Sequence, residues 1–166
     1  MSKKEAKTNA MRILERMKIP YTHQEYDCTE FTDGSGVADR LGLVHAQVFK
    51  TLVTVGSDRN HYVFVIPVDE ELDLKKCARS VGVKSVQMIT VKELFPLTGY
   101  IRGGCTAIGM KKQFAVRIHE SAGEEAEIYV SAGKIGCQIC LAPDDFCRAS
   151  HAEYADLILN TRCCST

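Results

Sequence analysis

Apolar positions recur along this chain with two different periods, and each period predicts a different kind of element. Ala10, Leu14 and Met17 fall at helical spacing, predicting a helix over residues 8–18 that Pro20 stops. Thr22 to Cys28 alternates loosely, as a strand does, and Thr32 to Gly36 reads as a loop feeding a short helix, Val37 to Leu41, ended by Gly42. Phe49 to Val55 and His61 to Val68 are apolar strands around the turn Gly56–Asn60, the pattern of a hairpin. Asp73 then caps a helix whose Leu74, Cys77, Ala78 and Val81 share one face, with Gly82 as its stop.

The second half is more broken. Val86 to Ile89 reads as a short strand, and Thr90 with Glu93 fits a capping box for a brief helix that Pro96 ends. A glycine-rich loop runs from Gly99 to Gly109, and Phe114, Val116 and Ile118 alternate in a strand. Two more strands, Ile128 to Ser131 and Cys137 to Leu141, join through Gly133 and Gly136, and Pro143 opens a last helix that breaks near Ser150. About six strands and five helices in irregular order, with hairpins prominent and no βαβ rhythm, predict a mixed α/β (α+β) domain.

Composition narrows the class. A chain of 166 residues, 45% hydrophobic and 25% charged, suits one soluble domain with a sizeable core. Lys plus Arg equals Asp plus Glu at 21 each, so long-range attraction for a polyanion is weak and any RNA contact must use a local patch or a partner. The charged start, Met1 to Lys7, has no apolar stretch behind it, and no run approaches the ~20 residues needed to cross a bilayer, so the cytoplasm is the expected location. Eight irregularly spaced cysteines in such a chain read as free thiols. Cys137 and Cys140 form a C-x-x-C, but positions three apart on a strand point to opposite faces, whereas a zinc knuckle needs converging thiolates. Neither a metal nor a cofactor is expected.

The residues that could carry chemistry are few. Four glycines between Gly99 and Gly109 allow backbone N–H groups to approach an anion or a developing oxyanion, although a long connection needing positive φ reads the same way. The loop is neither a dinucleotide fingerprint nor a Walker loop. Lys50 opens a strand beside Phe49, so it faces away from the core, either into a cleft or onto a solvated edge. No nucleophile motif of the G-x-S-x-G or H-E-x-x-H type occurs. Lys75-Lys76-Arg79 and Lys111-Lys112 are the best basic patches, and solvated faces explain them equally well.

Several segments in order resemble the YbaK/EbsC family, in particular its Cys-tRNA(Pro) deacylase branch. They are Lys7-Thr-Asn-Ala10, Phe49-Lys-Thr-Leu52, Glu71-Leu-Asp-Leu-Lys-Lys76, Thr98-Gly-Tyr100 running to Gly103-Gly104, Ile108-Gly-Met-Lys-Lys112, Tyr129-Val-Ser-Ala-Gly133 and Leu141-Ala-Pro143. They span roughly residues 7 to 158. The resemblance implies one compact editing domain over 1–160, with a mixed, barrel-like sheet of about six to seven strands and flanking helices, followed by a disordered tail at 161–166. It implies removal of mischarged cysteine from tRNA in trans, with prolyl-tRNA synthetase as a transient partner.

On the site, the resemblance places the family's lysine at Lys50, its glycine loop at Gly103, Gly104, Cys105 and Thr106, and its pocket tyrosine at Tyr26. The serine of the Val-Ser-x-Gly turn falls on Ser131, and the aspartate of Ala-Pro-x-Asp on Asp145. Where the family loop commonly reads Gly-Gly-x-Ser-Pro-x-Gly, this chain has Gly103-Gly-Cys-Thr-Ala-Ile-Gly109, keeping a hydroxyl at Thr106 but losing the rigid ring at Ala107. The implied mechanism supplies its own nucleophile, the substrate's thiol. A binding module without catalysis, a cysteine-based redox or zinc protein, and an editing enzyme using water on alanyl- or seryl-tRNA are the competing readings.

Overall fold

The computed structural model describes residues 7–26 and 34–159, with the side chains of 34 and 35 outside the description. Cys28, Cys163, Cys164 and the expected tail at 161–166 lie outside the described residues.

Helix α1, Asn9–Arg16, is capped by Thr8, whose side chain accepts the Met11 N–H. Its buried face is Ala10, Met11 and Leu14, while Met17 stands 36% exposed. The chain turns at Lys18, which adopts a left-handed φ of 61°, and the Ile19 N–H returns to the Leu14 carbonyl. The helix thus ends before Pro20 acts. Strand β1, Thr22–Glu25, follows, then α2, Gly34–Leu41, which starts inside the segment expected to be a loop.

Strands β2, Phe49–Gly56, and β3, His61–Pro67, form the expected antiparallel hairpin, pairing Phe49 with Pro67 and Lys50 with Ile66. Asp73 caps α3, Leu74–Val81, through the Lys75 and Lys76 N–H groups, and Gly82 closes it in the left-handed region. After β4, Val86–Met88, the capping box of Thr90 and Glu93 opens α4, Val91–Thr98. Pro96 lies inside this helix rather than ending it. A proline deletes one backbone hydrogen bond, and the stop comes from left-handed Gly99. Strands β5 (Ala115–His119), β6 (Ile128–Ser131) and β7 (Cys137–Leu141) precede α5, Pro143–Ser150. His151 caps α5 at φ 62°, and the chain continues as β8, Ala152–Ala155.

Among the described residues, eight strands replace the expected six to seven, and they form two sheets. One is antiparallel, in the order β1-β7-β6. The other is mixed, in the order β4-β2-β3-β5-β8, with parallel pairing of β5 to β3 and to β8. Among the described residues the sheets do not close into the barrel-like arrangement the resemblance implies. A parallel bridge, Val48 to Tyr129, joins the sheets and sets the entry of β2 beside β6.

Burial explains the apolar run in β3. Val63 and Val65 join Phe49, Val116, Ile118, Val130 and Ile139 in the core between the sheets, while Phe64 and Ile66 face Cys77 and Ala78 of α3. A strand covered on both faces reads as a continuous apolar run. The C-x-x-C spacing behaves as its strand period predicts: Cys137 enters the core, and Cys140 lies on the other face of β7.

Candidate active site

Beside the bridge between the sheets lies a cleft of about 220 Å³. Lys50 is two residues past Val48 on β2, and Ser131 is two residues past Tyr129 on β6, so the bridge brings both to one place. Both line the cleft, together with Tyr26, Gly103 and Cys105. Five residues spread over more than 100 positions of sequence thus line one cleft. Tyr26 is fixed by its own N–H, which donates to the Gly136 carbonyl at 2.9 Å. Val37 of α2, Val48, Phe49 and Val68 form the apolar wall.

The glycine-rich loop is held at both ends. Tyr100 takes its N–H to Thr98 Oγ1 at 3.0 Å, and its hydroxyl donates to the Ile108 carbonyl at 2.6 Å. Burial pushes the Tyr100 phenol up to about 12, so it remains a donor at neutral pH. Gly103 has a φ of 89°, a conformation L side chains rarely adopt. Gly104 is required by space: a Cβ there would stand 2.9 Å from the backbone nitrogen of Ile135 and the carbonyl carbon of Lys134. The loop therefore rests backbone to backbone on the β6–β7 turn.

Three expected residues do not line the cleft. Gly104 is buried, and its N–H is engaged by the Ile101 carbonyl at 3.0 Å. Thr106 is completely buried, with its hydroxyl near the Ile108 N–H at 3.4 Å, so it shapes the loop from within. Asp145 sits in the first turn of α5, where a carboxylate suits the helix dipole, and pairs with Arg148 at 3.1 Å.

Cys105 does reach the cleft. Burial raises its thiol to about 12, partly countered by a hydrogen bond with Thr98, so it stays protonated near neutral pH. The Ser131 hydroxyl accepts the Gly133 N–H at 3.2 Å, inside its own turn. Among the described residues lining the cleft there is no histidine or carboxylate to activate either group.

Among the lining residues that sequence reasoning missed are Arg102 and Gln138. Arg102, in the glycine loop, borders both this cleft and an adjoining one of about 330 Å³ walled by Met88, Ile89, Val91 and Leu94. A cation between two loop glycines was a visible signal. Gln138 had none, because it lies between residues that are fully buried. The basic patches serve locally: Lys76 pairs with Asp156 at 3.0 Å, and Lys111 Nζ lies 5.4 Å from the Phe95 ring centroid.

The described residues form a two-sheet α/β domain in which a lysine, a glycine loop and apolar walls surround a small cleft. Residues 33–149 match the family model described as the aminoacyl-tRNA editing domain, and the chain belongs to that family. It is 46% identical, over 93% of its length and 95% of the relative's, to an Enterococcus faecalis protein provisionally named Cys-tRNA(Pro)/Cys-tRNA(Cys) deacylase EbsC. Among solved structures it resembles one described provisionally as a trans-editing enzyme for prolyl-tRNA synthetase, with a TM-score of 0.78 at 23% identity, covering 93% of this chain and 100% of that one. A hypothetical protein gives a TM-score of 0.80 at 20% identity, covering 89% and 97%. These two likenesses establish the fold. Among the described residues no helix is long and apolar enough to cross a membrane.

Proposed function

We propose that this chain is an aminoacyl-tRNA deacylase that releases cysteine from mischarged Cys-tRNA(Pro) in trans. The observation that carries this reading is the convergence of Lys50, Gly103, Cys105, Ser131 and Tyr26 on one cleft in a chain of the editing family. The name of the 46% identical relative supports cysteine as the amino acid.

The chemistry is the one the family resemblance implies, and a described cleft lining without a histidine or carboxylate to activate a nucleophile is consistent with it. The substrate's Sγ attacks its own ester carbonyl; a C–S bond forms and the C–O bond to the ribose breaks. The thiol's proton ends on the ribose oxygen, and a cyclic thiolactone leaves. The protein's task is to fold the substrate into attack geometry, and proximity can supply ~7–11 kcal/mol of such a barrier. The Lys50 ammonium and the loop N–H groups of Gly103 and Cys105, which no hydrogen bond within the described residues engages, would stabilise charge on the carbonyl oxygen. Gly104 and Thr106 hold that loop in shape. The zero net charge supports delivery of mischarged tRNA by prolyl-tRNA synthetase rather than tight capture of free tRNA.

The test is single-turnover deacylation of Cys-, Ala- and Ser-tRNA(Pro), with and without the synthetase. Cys-tRNA should be cleaved while the others persist, because a hydroxyl is far less ionised than a thiol near neutral pH. Equal cleavage of Ala-tRNA or Ser-tRNA would show that water is the nucleophile. Stimulation by the synthetase is expected, and its absence would remove the partner.

A further inference from the structure

We infer that Gln138 sets the cleft's specificity by accepting a hydrogen bond from the α-amino group of the aminoacyl ester, an inference that rests on the editing reading above. Gln138 occupies the central strand of the three-stranded sheet, where its neighbours Cys137 and Ile139 enter the core. Alternation turns Gln138 to the opposite face, and there it lines the cleft with Ser131, its register partner on β6. The residue is only 7% exposed, yet its Oε1 is buried without a hydrogen-bond partner among the described residues.

A buried acceptor without a donor costs free energy, and such groups are rare in folded proteins. A glutamine at this depth is therefore better explained by a ligand than by folding. Gln138 lines the cleft, so a donor on a substrate seated there would satisfy this acceptor. An acceptor calls for a donor on the substrate. The aminoacyl group carries two, the amine and the thiol. The thiol is a weak donor, and in the proposed reaction it must stay free to attack, whereas the amine offers up to three strong N–H bonds. Lys50 cannot serve the amine, because two ammonium groups repel. Gln138 supplies the acceptor on the β7 side of the same cleft.

The experiment is a cycle between enzyme and substrate. Half-saturation is measured in single turnover for Cys-tRNA and for 3-mercaptopropionyl-tRNA, which keeps the thiol and the ester but lacks the amine. Gln138→Met should weaken Cys-tRNA by about tenfold or more, the range of a hydrogen bond to a charged group. The same variant should handle the desamino substrate as the wild type does. Gln138→Glu, which keeps an acceptor, should restore Cys-tRNA binding. Equal weakening of both substrates, or of neither, overturns the inference, because a structural role does not distinguish them. Thermal midpoints accompany each variant. Should Gln138→Met fail to fold, Gln138→Glu decides: its preference for the amine-bearing substrate must equal or exceed the wild type's. If the wild type cleaves Ala-tRNA instead, alanyl and propionyl esters replace the pair. If it cleaves no aminoacyl ester, the editing reading itself falls, and this inference with it.

Discussion

Gly104 and Ile135 touch backbone to backbone, so the glycine loop and the β6–β7 turn form one wall of the cleft. A methyl group on Gly104 would stand 2.9 Å from Ile135 N, closer than Cβ atoms come to backbone. Gly104→Ala must lift the loop off the turn. Overpacking of this kind costs about 1–3 kcal/mol. Displacing the loop by about 1 Å should reduce cleavage about a hundredfold. Thermal midpoints and single-turnover rates measured together check this. A normal rate with an unchanged midpoint would show that the contact does not position the loop.

Lys50 lines the cleft from β2, while its neighbour Phe49 is buried in the core between the sheets. Lys50→Ala should remove most deacylation while shifting stability within about ±0.5 kcal/mol, as exposed or half-buried positions usually do. Lys50→Arg should also be poor, because a planar fork does not replace a compact ammonium in a small site. Near-normal rates in both variants would make Lys50 a solvated edge residue.

His45 bonds two carboxylates at once, Asp69 through Nδ1 at 2.8 Å and Asp39 through Nε2 at 2.7 Å. Both ring nitrogens then act as donors, the state of a charged imidazole. The hydrogen bond with Asp69, then that with Asp39, raises the His45 pKa above its ordinary value. Asp39 belongs to α2, which also carries the cleft residue Val37. Because the folded value lies above the unfolded one of ~6.5, this stabilisation is complete below ~6.5 and is lost as pH rises through the folded value. Amide exchange at Val37 and Ala38 should therefore quicken, beyond the intrinsic rate increase, as pH rises through the His45 titration seen by NMR. His45→Gln should flatten that dependence; a wild-type profile in the variant would remove the clamp.

Local signals in the sequence account for most of the elements. Asp73 and Gly82 bracket α3, the box at Thr90 and Glu93 opens α4, and the hairpin around Gly56–Asn60 stands where its alternation puts it. Strand β8 was not legible. Ala152-Glu-Tyr-Ala155 carries no apolar alternation and becomes a strand by pairing in parallel with β5, a contact between distant segments. Pro96 misled for the opposite reason, because a local rule about proline is weaker than two good caps. The cleft was legible in part. Lys50 and the loop have local character, but their meeting with Tyr26 and Ser131 depends on the Val48–Tyr129 bridge. Only the family resemblance anticipated that meeting, and nothing anticipated Gln138.

Cys105 tests which thiol does the chemistry. It lines the cleft, but burial holds its pKa up at about 12, so almost none is ionised between pH 6 and 9. A protonated thiol in that range is a poor nucleophile. The substrate's cysteine, with an ordinary thiol pKa of ~8.5, is the group that ionises. Cleavage of Cys-tRNA should therefore accelerate as pH approaches ~8.5 and level off above it. Cys105→Ser should keep the same profile, with a rate loss no greater than about tenfold, or 1.4 kcal/mol in the barrier, from altered packing of the loop. An enzyme that used Cys105 covalently would behave differently: the serine variant would lose several orders of magnitude, and acid quenching of the wild type would trap cysteine on the protein as a thioester. Rapid-quench measurements of both forms across this pH range decide between the two. Recovery of a thioester at Cys105 would assign the attack to the protein and overturn the substrate-assisted reaction.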